Sequence, residues 1–225
     1  VAQLVEHLPF KERVLGSSPS PVTEKALYLI QGFCFLKNNV FLKFNFNKIK
    51  MNYLFITLLF MNLFSNIIFD FKENSNLNNW QIVDDVVMGG RSQGNFKINE
   101  FGNGVFYGNV SLENNGGFSS LRYQFNKKNI SSFSKIVLRV KGDGKKYQFR
   151  IKNKIQDYYS YVIEFETSKN WQEIELEISD MYPSFRGRRL NMNNFSSDFI
   201  EEIRFLISNK KNQSFQLEID KIYLK

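Results

Sequence analysis

The sequence predicts an all-β fold for residues 67–225, an antiparallel β-sandwich or jelly roll. Two observations predict it. Apolar and polar side chains alternate with a period of two in several short runs between residues 136 and 219, which is the pattern of strands that turn one face to a core and the other to water. Turns rich in Gly and Asn separate these runs, and no long segment has helical periodicity. Many short strands without helices form two packed sheets, so we expect a single domain.

The strands are expected where the alternation is regular. Gly142, Asp143 and Gly144 separate the first two strands and are predicted to close a tight hairpin. Residues 199–207 are expected to begin as a helical turn and continue as a strand, and Pro183 lies in a non-alternating stretch. The inward positions are predicted to be Ile136, Leu138 and Val140; Tyr147, Phe149 and Ile151; Tyr161, Ile163 and Phe165; Ile174, Leu176 and Ile178; and Phe215, Leu217 and Ile219.

Residues 1–50 are expected to lie outside the domain. Residues 1–7 and 16–20 resemble the D-arm and the T-arm of a transfer-RNA gene translated in frame, in the right order and at about the right spacing. We therefore expect residues 1–50 to be a spurious upstream extension, with the start near Met51. A genuine disordered extension is the alternative.

Residues 51–66 form a hydrophobic, signal-like or anchor segment. Its core, residues 54–64, has the length of the apolar region of a signal peptide and is shorter than the roughly 20 residues that a spanning helix needs. Residues 51–53, Met-Asn-Tyr, provide no positive charge before this core, and Ser65 and Asn66 are a poor cleavage site. Export, or membrane association through residues 54–69, is slightly favoured over a cytoplasmic location.

The composition excludes several classes of site. The chain has one His and one Cys, His7 and Cys34, and both precede residue 51. The predicted domain therefore lacks a Ser–His–Asp or Cys–His nucleophile, a thiolate or imidazole zinc site and an intrachain disulfide. Half of the formal charge of +8 falls in residues 1–50, and the rest is too dilute to predict nucleic-acid binding. No cofactor and no metal are expected.

Residues 80–92, which we call the first signature loop, are the most informative stretch. They follow neither a strand nor a helix period, and they combine an aromatic, two carboxylates and a glycine pair. A second signature loop, residues 113–118, carries another glycine pair. The candidate binding residues of the two loops are Trp80, Asp84, Asp85, Met88, Gly89, Gly90, Arg91 and Ser92 in the first, and Gly116, Gly117 and Phe118 in the second.

The paired aspartates allow a chemical and a structural interpretation. Asp84 or Asp85 could act with Glu113 as an acid–base pair, as in a hydrolase. Adjacent residues on an extended chain point to opposite sides, however, which is a poor geometry for sharing one substrate atom. Aspartates that order a loop by accepting backbone N–H groups are the favoured interpretation. Trp80 and Met88 are expected to anchor this loop to the core.

The glycines likewise have two interpretations. Gly89, Gly90 and Arg91 could form a phosphate-binding nest, but the P-loop spacing and a following helix are both absent. A structural glycine corner is favoured. Asp143 between two glycines suggests calcium only weakly, because the EF-hand spacing is missing. A calcium ion held by other loop carboxylates stays as a minor option.

A basic stripe is predicted on the outward face of the hairpin around Gly142. Its members are Arg139, Lys141, Arg150 and Lys152, and Tyr158 joins them if the next strand pairs in register. This face could bind an acidic partner or a polar ligand, or it could be an ordinary solvated face. The basic residues 185–189 have the same two interpretations.

The motifs together resemble the complex I intermediate-associated protein 30 family. Five blocks in the family's order carry the resemblance: WQIVDDVVMGGRS (80–92), FYGNVSLENNGGFSSLR (106–122), LRVKGDGKKYQFRI (138–151), MYPSFRGR (181–188) and FQLEIDKIYL (215–224). A departure is Asp84, where many members are expected to carry Asn, so polarity there matters more than charge.

The resemblance implies a galactose-binding-domain-like jelly roll that is similar to some carbohydrate-binding modules. It further implies a non-catalytic, chaperone-like assembly factor whose partners are proteins, such as subunits or assembly intermediates of respiratory complex I. The alternative is a carbohydrate-binding module of an exported protein, with a glycan as ligand. That alternative predicts exposed aromatic side chains, first of all Tyr158, Tyr159 and Tyr161.

Overall fold

The computed structural model of the protein describes residues 66–225, which belong to one compact unit, Phe60–Lys225. The expectations for residues 1–50 and for nearly all of the hydrophobic segment lie outside the described residues. In the described part, no helix is long and apolar enough to cross a bilayer. The strands are β1 (Ile67–Asp70), β2 (Trp80–Asp84), β3 (Gln93–Ile98), β4 (Gly104–Val110), β5 (Ser119–Asn129), β6 (Lys135–Lys141), β7 (Lys146–Lys152), β8 (Ser160–Glu166), β9 (Gln172–Glu177), β10 (Tyr182–Phe185), β11 (Arg188–Arg189), β12 (Phe199–Ile207) and β13 (Gln213–Leu224).

The strands form two antiparallel sheets, which confirms the predicted all-β sandwich. One sheet has six strands in the order β3-β4-β13-β6-β9, with β1 also paired to β13. The other has seven strands in the order β11-β10-β8-β7-β12-β5-β2. Three 3₁₀ turns, Asp85–Met88, Glu113–Asn115 and Ile178–Asp180, lie in the connections. We call the two sheets the six-stranded and the seven-stranded sheet.

The core lies between the two sheets and is built by the predicted inward positions. Leu138 and Leu217 of the six-stranded sheet, and Tyr147, Phe149 and Ile151 of the seven-stranded sheet, are at most 1% exposed. Each fully buried side chain of this kind stabilises the fold by roughly 1.5–3 kcal/mol. Successive side chains on a strand point to opposite faces, so the residues between these positions form the outer faces of the sandwich.

The predicted hairpin around Gly142 is wrong. β6 pairs with β13 and β9 in the six-stranded sheet, whereas β7 pairs with β12 and β8 in the seven-stranded sheet. Residues 142–145 therefore cross from one sheet to the other, with Gly144 at a φ of +82°. A short glycine turn between two amphipathic strands suits a hairpin and a crossover equally well, because both bury the same alternate residues.

A helical turn at the start of residues 199–207 is also a wrong expectation. β12 is a strand over its whole length, Phe199–Ile207, and its register with β5 shifts between Ile200 and Glu202. At this shift, residues 125–127 of β5 lie opposite the single residue Glu201. Ile200 and Ile203 are both fully buried, so the strand departs from strict alternation there.

Candidate functional site

The two signature loops meet around one buried carboxylate, that of Asp85. The side chain is completely buried at the start of the 3₁₀ turn that follows β2. Its Oδ1 accepts the backbone N–H of Ser92 at 2.9 Å, and its Oδ2 accepts the Ser92 hydroxyl at 2.5 Å. Oδ2 also accepts the backbone N–H groups of Gly117 at 2.6 Å and Phe118 at 3.2 Å. Four hydrogen bonds to one carboxylate fix the two loops against each other.

The environment of Asp85 keeps its carboxyl ionised. Burial acts to raise the pKa, because a buried charge is desolvated. The hydrogen bonds from Ser92, Gly117 and Phe118 outweigh burial, so the pKa lies below its ordinary value of 3.8. A general acid requires a raised pKa. Asp85 is therefore a structural acceptor at neutral pH.

The glycines of both loops lie close to this carboxylate. A Cβ atom on Gly90 would lie 2.4 Å from Asp85 Cγ, and a Cβ atom on Gly116 would lie 2.6 Å from Asp85 Oδ2. Gly89 has a different task, because it ends the 3₁₀ turn with a φ of +89°. Close packing at Gly90 and a left-handed backbone at Gly89 explain why the two glycines are adjacent.

Asp84 connects the two sheets by hydrogen bonds at the same rim. Its Oδ2 accepts the backbone N–H of Gly94 in β3 at 2.8 Å, and its Oδ1 accepts the hydroxyl of Ser119 in β5 at 2.5 Å. β3 belongs to the six-stranded sheet, whereas β2 and β5 belong to the seven-stranded sheet. The adjacent aspartates therefore serve two different contacts, as expected for side chains that point to opposite sides.

The side chains of Val86, Val87 and Met88 point into solvent, with exposed fractions of 59%, 74% and 56%. We call these three residues the apolar tip. The expectation that Met88 anchors the loop to the core is wrong, because the turn places Asp85 inward and the next three residues outward. Trp80, the other expected anchor, is buried and stacks on Tyr123 with ring centroids 4.5 Å apart.

The residues of the hydrolase interpretation do not form an acid–base site. Glu113 pairs with Arg91 at 2.8 Å, and both side chains are at least 60% exposed. All four carboxylate oxygens of Asp84 and Asp85 accept hydrogen bonds within the protein. In residues 66–225, no group of three or more His, Cys, Asp or Glu side chains is placed to hold a metal ion.

A cleft of about 420 Å³ opens on the outer face of the seven-stranded sheet. Strands β5, β7, β8, β10 and β12 form its floor, and the apolar tip, the second signature loop and the β10–β11 turn form its rim. That turn is Arg186–Gly187, with φ values of +48° and +75°, as in a type I′ hairpin. Its lining includes Met88, Phe118, Arg122, Arg150, Tyr158 and Arg204.

Three arginines lie side by side across the floor of this cleft. Arg204 in β12 is the direct register partner of Arg150 in β7 and of Arg122 in β5. Glu202 is 2% exposed next to this row. Its carboxylate accepts Arg204 Nη2 at 2.6 Å and lies 3.5 Å from Arg122 Nε. Arg150 contacts neutral groups, Gln148 Oε1 at 2.6 Å among them.

Burial and mutual repulsion destabilise the charge of this row. Desolvation and the neighbouring Arg204 lower the pKa of Arg150 to about 10. The same two causes lower the pKa of Arg122, and Glu202 offsets this in part. Desolvation likewise lowers the pKa of Lys152. All these groups remain cationic at neutral pH, so the cleft is strongly electropositive.

The predicted contact face is divided between the two sheets. Arg150, Lys152 and Tyr158 line the cleft. Arg139 and Lys141 lie on the outer face of the six-stranded sheet instead, because β6 and β7 do not pair. The structure thus joins three of the five predicted contact residues to Met88 and Phe118 of the signature loops.

Arg122, Arg204, Glu202 and Gln148 were missed by the sequence reasoning. Arg122, Arg204 and Gln148 each lie between two core side chains of their strands, for example Arg204 between Ile203 and Phe205, so the alternation places them on an outer face. Glu202 lies two residues before Arg204 in β12 and therefore on the same face. Their neighbourhood depends on the pairing of β12 with β5 and β7, which are distant in sequence.

The three tyrosines of the glycan interpretation do not share one surface. Tyr158 is 64% exposed at the rim of the cleft. Its ring stands edge-on to those of Tyr159 and Phe185, at interplanar angles of 72° and 84°. Tyr161 packs on Phe195 on the core side.

Comparison with known proteins matches residues 69–219 to the family model of complex I intermediate-associated protein 30. The chain is 27% identical over 179 residues to the mitochondrial complex I intermediate-associated protein 30 of Mus musculus, across 69% of this chain and 55% of that protein. The Drosophila melanogaster protein of that name is 23% identical across 71% and 62% of the two chains. The match therefore spans little more than half the length of these relatives.

Solved structures share the fold at low sequence identity. The family 11 carbohydrate-binding module from Clostridium thermocellum, in complex with a β-1,3-1,4-mixed-linked tetrasaccharide, superimposes with a TM-score of 0.54 at 19% identity over 71% of this chain and 94% of that module. A solution structure of the C. thermocellum family 11 module gives a TM-score of 0.51 at 17% identity, over 69% and 93% of the chains.

Proposed function

We propose, because this chain belongs to the complex I intermediate-associated protein 30 family, that it is a non-catalytic protein-binding domain that assists the assembly of a respiratory complex. The observation that carries this proposal is the apolar tip, Val86–Met88. It places three consecutive exposed apolar side chains on a turn that is held by the buried Asp85.

An exposed apolar cluster on a rigid turn favours a protein partner. Apolar surface in contact with water costs free energy, and contiguous exposed apolar residues mark interaction sites. The hydrogen bonds of Asp85 already order the tip, so docking would cost little further conformational entropy. Met88 also lines the cleft, so one partner can cover the tip and the cleft together.

The proposal that the domain lacks catalytic activity rests on the hydrogen bonds and the ion pair that its candidate carboxylates form. Asp84 and Asp85 are engaged in hydrogen bonds, and Glu113 is in an exposed ion pair. Loop-ordering roles account for each of them. The family relatives are named for their association with complex I intermediates, which supports a protein partner for this chain.

A glycan ligand is the second candidate. The cleft on the outer face of the seven-stranded sheet supports it, with Tyr158 and Phe185 at its rim. Sugar rings usually stack on flat aromatic faces, but these two rings stand at 84° to each other. They cannot stack on consecutive coplanar sugars, so the protein partner is favoured.

Affinity capture tests the proposal. The full chain, tagged and captured from detergent-solubilised membranes of its own cells, is expected to enrich respiratory-complex subunits detected by mass spectrometry. The Val86→Ser/Val87→Ser double variant should lower this enrichment about tenfold, which corresponds to about 1.4 kcal/mol of lost contact free energy.

Phe101→Ser is the matched control. Phe101 is 78% exposed in the turn after β3. The apolar tip precedes that strand, whose 6 residues span about 20 Å. The control should capture as well as the parent chain. Capture without respiratory subunits, or equal losses in both variants, contradicts the proposal.

A further inference from the structure

The cleft on the seven-stranded sheet carries an excess of positive charge. Its lining includes Arg122, Arg150, Lys152, Arg186 and Arg204, and no Asp or Glu of the described chain lines it. Glu202, beside the row, pairs with Arg122 and Arg204, and Asp157 lies near Lys152. Two carboxylates cannot neutralise these five cations, so the cleft retains several unbalanced charges close together.

The outer face of the other sheet has the opposite character. Arg139 pairs with Asp220 at 2.7 Å and with Glu173 at 3.9 Å. Lys141 pairs with Glu218 at 3.2 Å. An ordinary solvated face balances its charges in this way, so the imbalance of the cleft does not simply follow from the basic composition of the chain.

The arginines of the cleft also have unused hydrogen-bond donors. A guanidinium has five N–H groups. Within residues 66–225, the Nε atoms of Arg122 and Arg204 are buried without a hydrogen-bond acceptor, although Arg122 Nε lies in ion-pair range of Glu202. Buried donors without acceptors are unfavourable. A negatively charged ligand in the cleft would offset the unfavourable desolvation of these arginines.

We propose that this cleft holds an acidic side chain of the protein partner, with its carboxylate seated over the row of Arg122, Arg150 and Arg204. Planar guanidinium groups bind carboxylates in a bidentate manner, and Arg is suited to partly desolvated sites of this kind. The proposal rests on the proposed function, since it names the chemistry of the segment that docks there.

The surroundings of the row favour a peptide over an acidic sugar. Met88, Phe118 and Leu206 line the cleft beside the arginines, and Val86 and Val87 continue this apolar surface outward. An extended peptide with a carboxylate next to an apolar side chain matches both features. The volume of about 420 Å³ suits two or three residues.

The perturbed charges of the row agree with this geometry. Desolvation disfavours the charged form of Arg150 and lowers its pKa. A bound carboxylate reverses this effect, because an opposite charge in contact stabilises the cation. Binding should therefore weaken with added salt, though less steeply than for fully exposed charges.

The test is a titration of the full chain in detergent, followed by NMR of the arginine Nε–H groups. The probe is the capped pentapeptide Leu-Gly-Glu-Gly-Leu, and its neutral match carries Gln in place of Glu. The Glu peptide should shift the signals of Arg122, Arg150 and Arg204 but leave that of Arg139 in place. Arg150→Gln should weaken binding about tenfold, and Arg139→Gln should change it less than twofold. Arg122→Gln is a second variant with the same expectation as Arg150→Gln.

Several outcomes overturn the inference. They are equal binding of the Glu and Gln peptides, unchanged cleft signals, and equal effects of Arg150→Gln and Arg139→Gln. If trigalacturonate binds the same arginines more tightly than the Glu peptide does, the ligand of the cleft is an acidic glycan and not a peptide. Equal binding of inorganic phosphate shows an adventitious ion only.

The peptide titration and the affinity capture can fail independently of each other. Capture of respiratory subunits without peptide binding overturns the acidic docking site and leaves the assembly role standing. Peptide binding without such capture overturns the assembly role and leaves the carboxylate site standing.

Discussion

Asp85 Oδ2 accepts the backbone N–H of Gly117 at 2.6 Å, although 32 residues separate the two along the chain. This contact joins the loop after β2 to the loop before β5. It makes the apolar tip a fixed feature of the sandwich rim, because the same carboxylate also binds Ser92. The rigidity of the proposed docking surface depends on this one side chain.

Asp85→Ala should destabilise the fold by about 3 kcal/mol. It removes the acceptor of Ser92, Gly117 and Phe118, and buried donors left without acceptors cost about 1–3 kcal/mol each. Urea unfolding measures the free energy of unfolding. Arg91→Gln, which breaks only the exposed pair with Glu113, should change it by less than about 1 kcal/mol. A loss below about 1 kcal/mol in Asp85→Ala contradicts the structural role.

The free energy of unfolding should fall at acid pH in a way that depends on Asp85. The pKa of this carboxyl is lower in the folded chain than its ordinary 3.8. The unfolded state therefore takes up the proton first, so the stabilisation is present above the unfolded pKa and is lost as pH falls through the folded pKa. Asp85→Asn should flatten the dependence below about pH 5, measured by urea unfolding at each pH. Identical slopes in the parent chain and the variant count against this assignment.

The two adjacent glycines of the first signature loop should respond differently to alanine. Gly90→Ala places a Cβ atom 2.4 Å from Asp85 Cγ and should cost about 2–4 kcal/mol, since the carboxylate must leave its partners. Gly89→Ala meets no atom within 4 Å, but its φ is +89°, which should cost about 1–2 kcal/mol. Thermal or urea unfolding ranks the pair. The reverse order would show that the backbone conformation matters more than the packing.

The strand positions follow from the sequence, but the sheet pairing does not. Tyr147, Phe149 and Ile151 are inward as the alternation predicts. The turn at Gly142 to Gly144 nevertheless joins two sheets, and a two-fold side-chain period contains no information about which strand lies alongside. Pairing is determined by long-range packing, as between β12 and β5.

The residues of the cleft could likewise be predicted only in part from the sequence. The outward position of Arg150 follows from the alternation along β7, but its neighbours Arg122 and Arg204 come from strands distant in sequence. The signature loops were found because unusual residues are clustered there, whereas the solvent exposure of Met88 depends on a 3₁₀ turn that the sequence does not mark. Clusters of unusual residues in the sequence therefore identify the signature loops, whereas their position beside the cleft depends on the long-range pairing of the strands.

Glu202→Gln should destabilise the fold by about 3 kcal/mol. The variant leaves Arg122 and Arg204 without their shared buried carboxylate, and breaking a buried ion pair costs about 3–5 kcal/mol. Addition of 50 mM sulfate (on the order of the concentration at which anions screen and bind such sites) should restore part of the loss, as measured by the unfolding midpoint. Glu173→Gln, in an exposed pair, should show neither effect. A stable Glu202→Gln variant contradicts the charge balance described for the row.

The most direct test of the account is photo-crosslinking from the apolar tip in the cell. A photoreactive amino acid replaces Val87 in the full chain, and a second chain carries it in place of Phe101 as the matched exposed position. We expect adducts from position 87 with a respiratory-complex subunit or assembly intermediate, identified by mass spectrometry, and far fewer from position 101. The same adducts from both positions, or none with such proteins from position 87, would contradict the claim that this rim docks a protein partner.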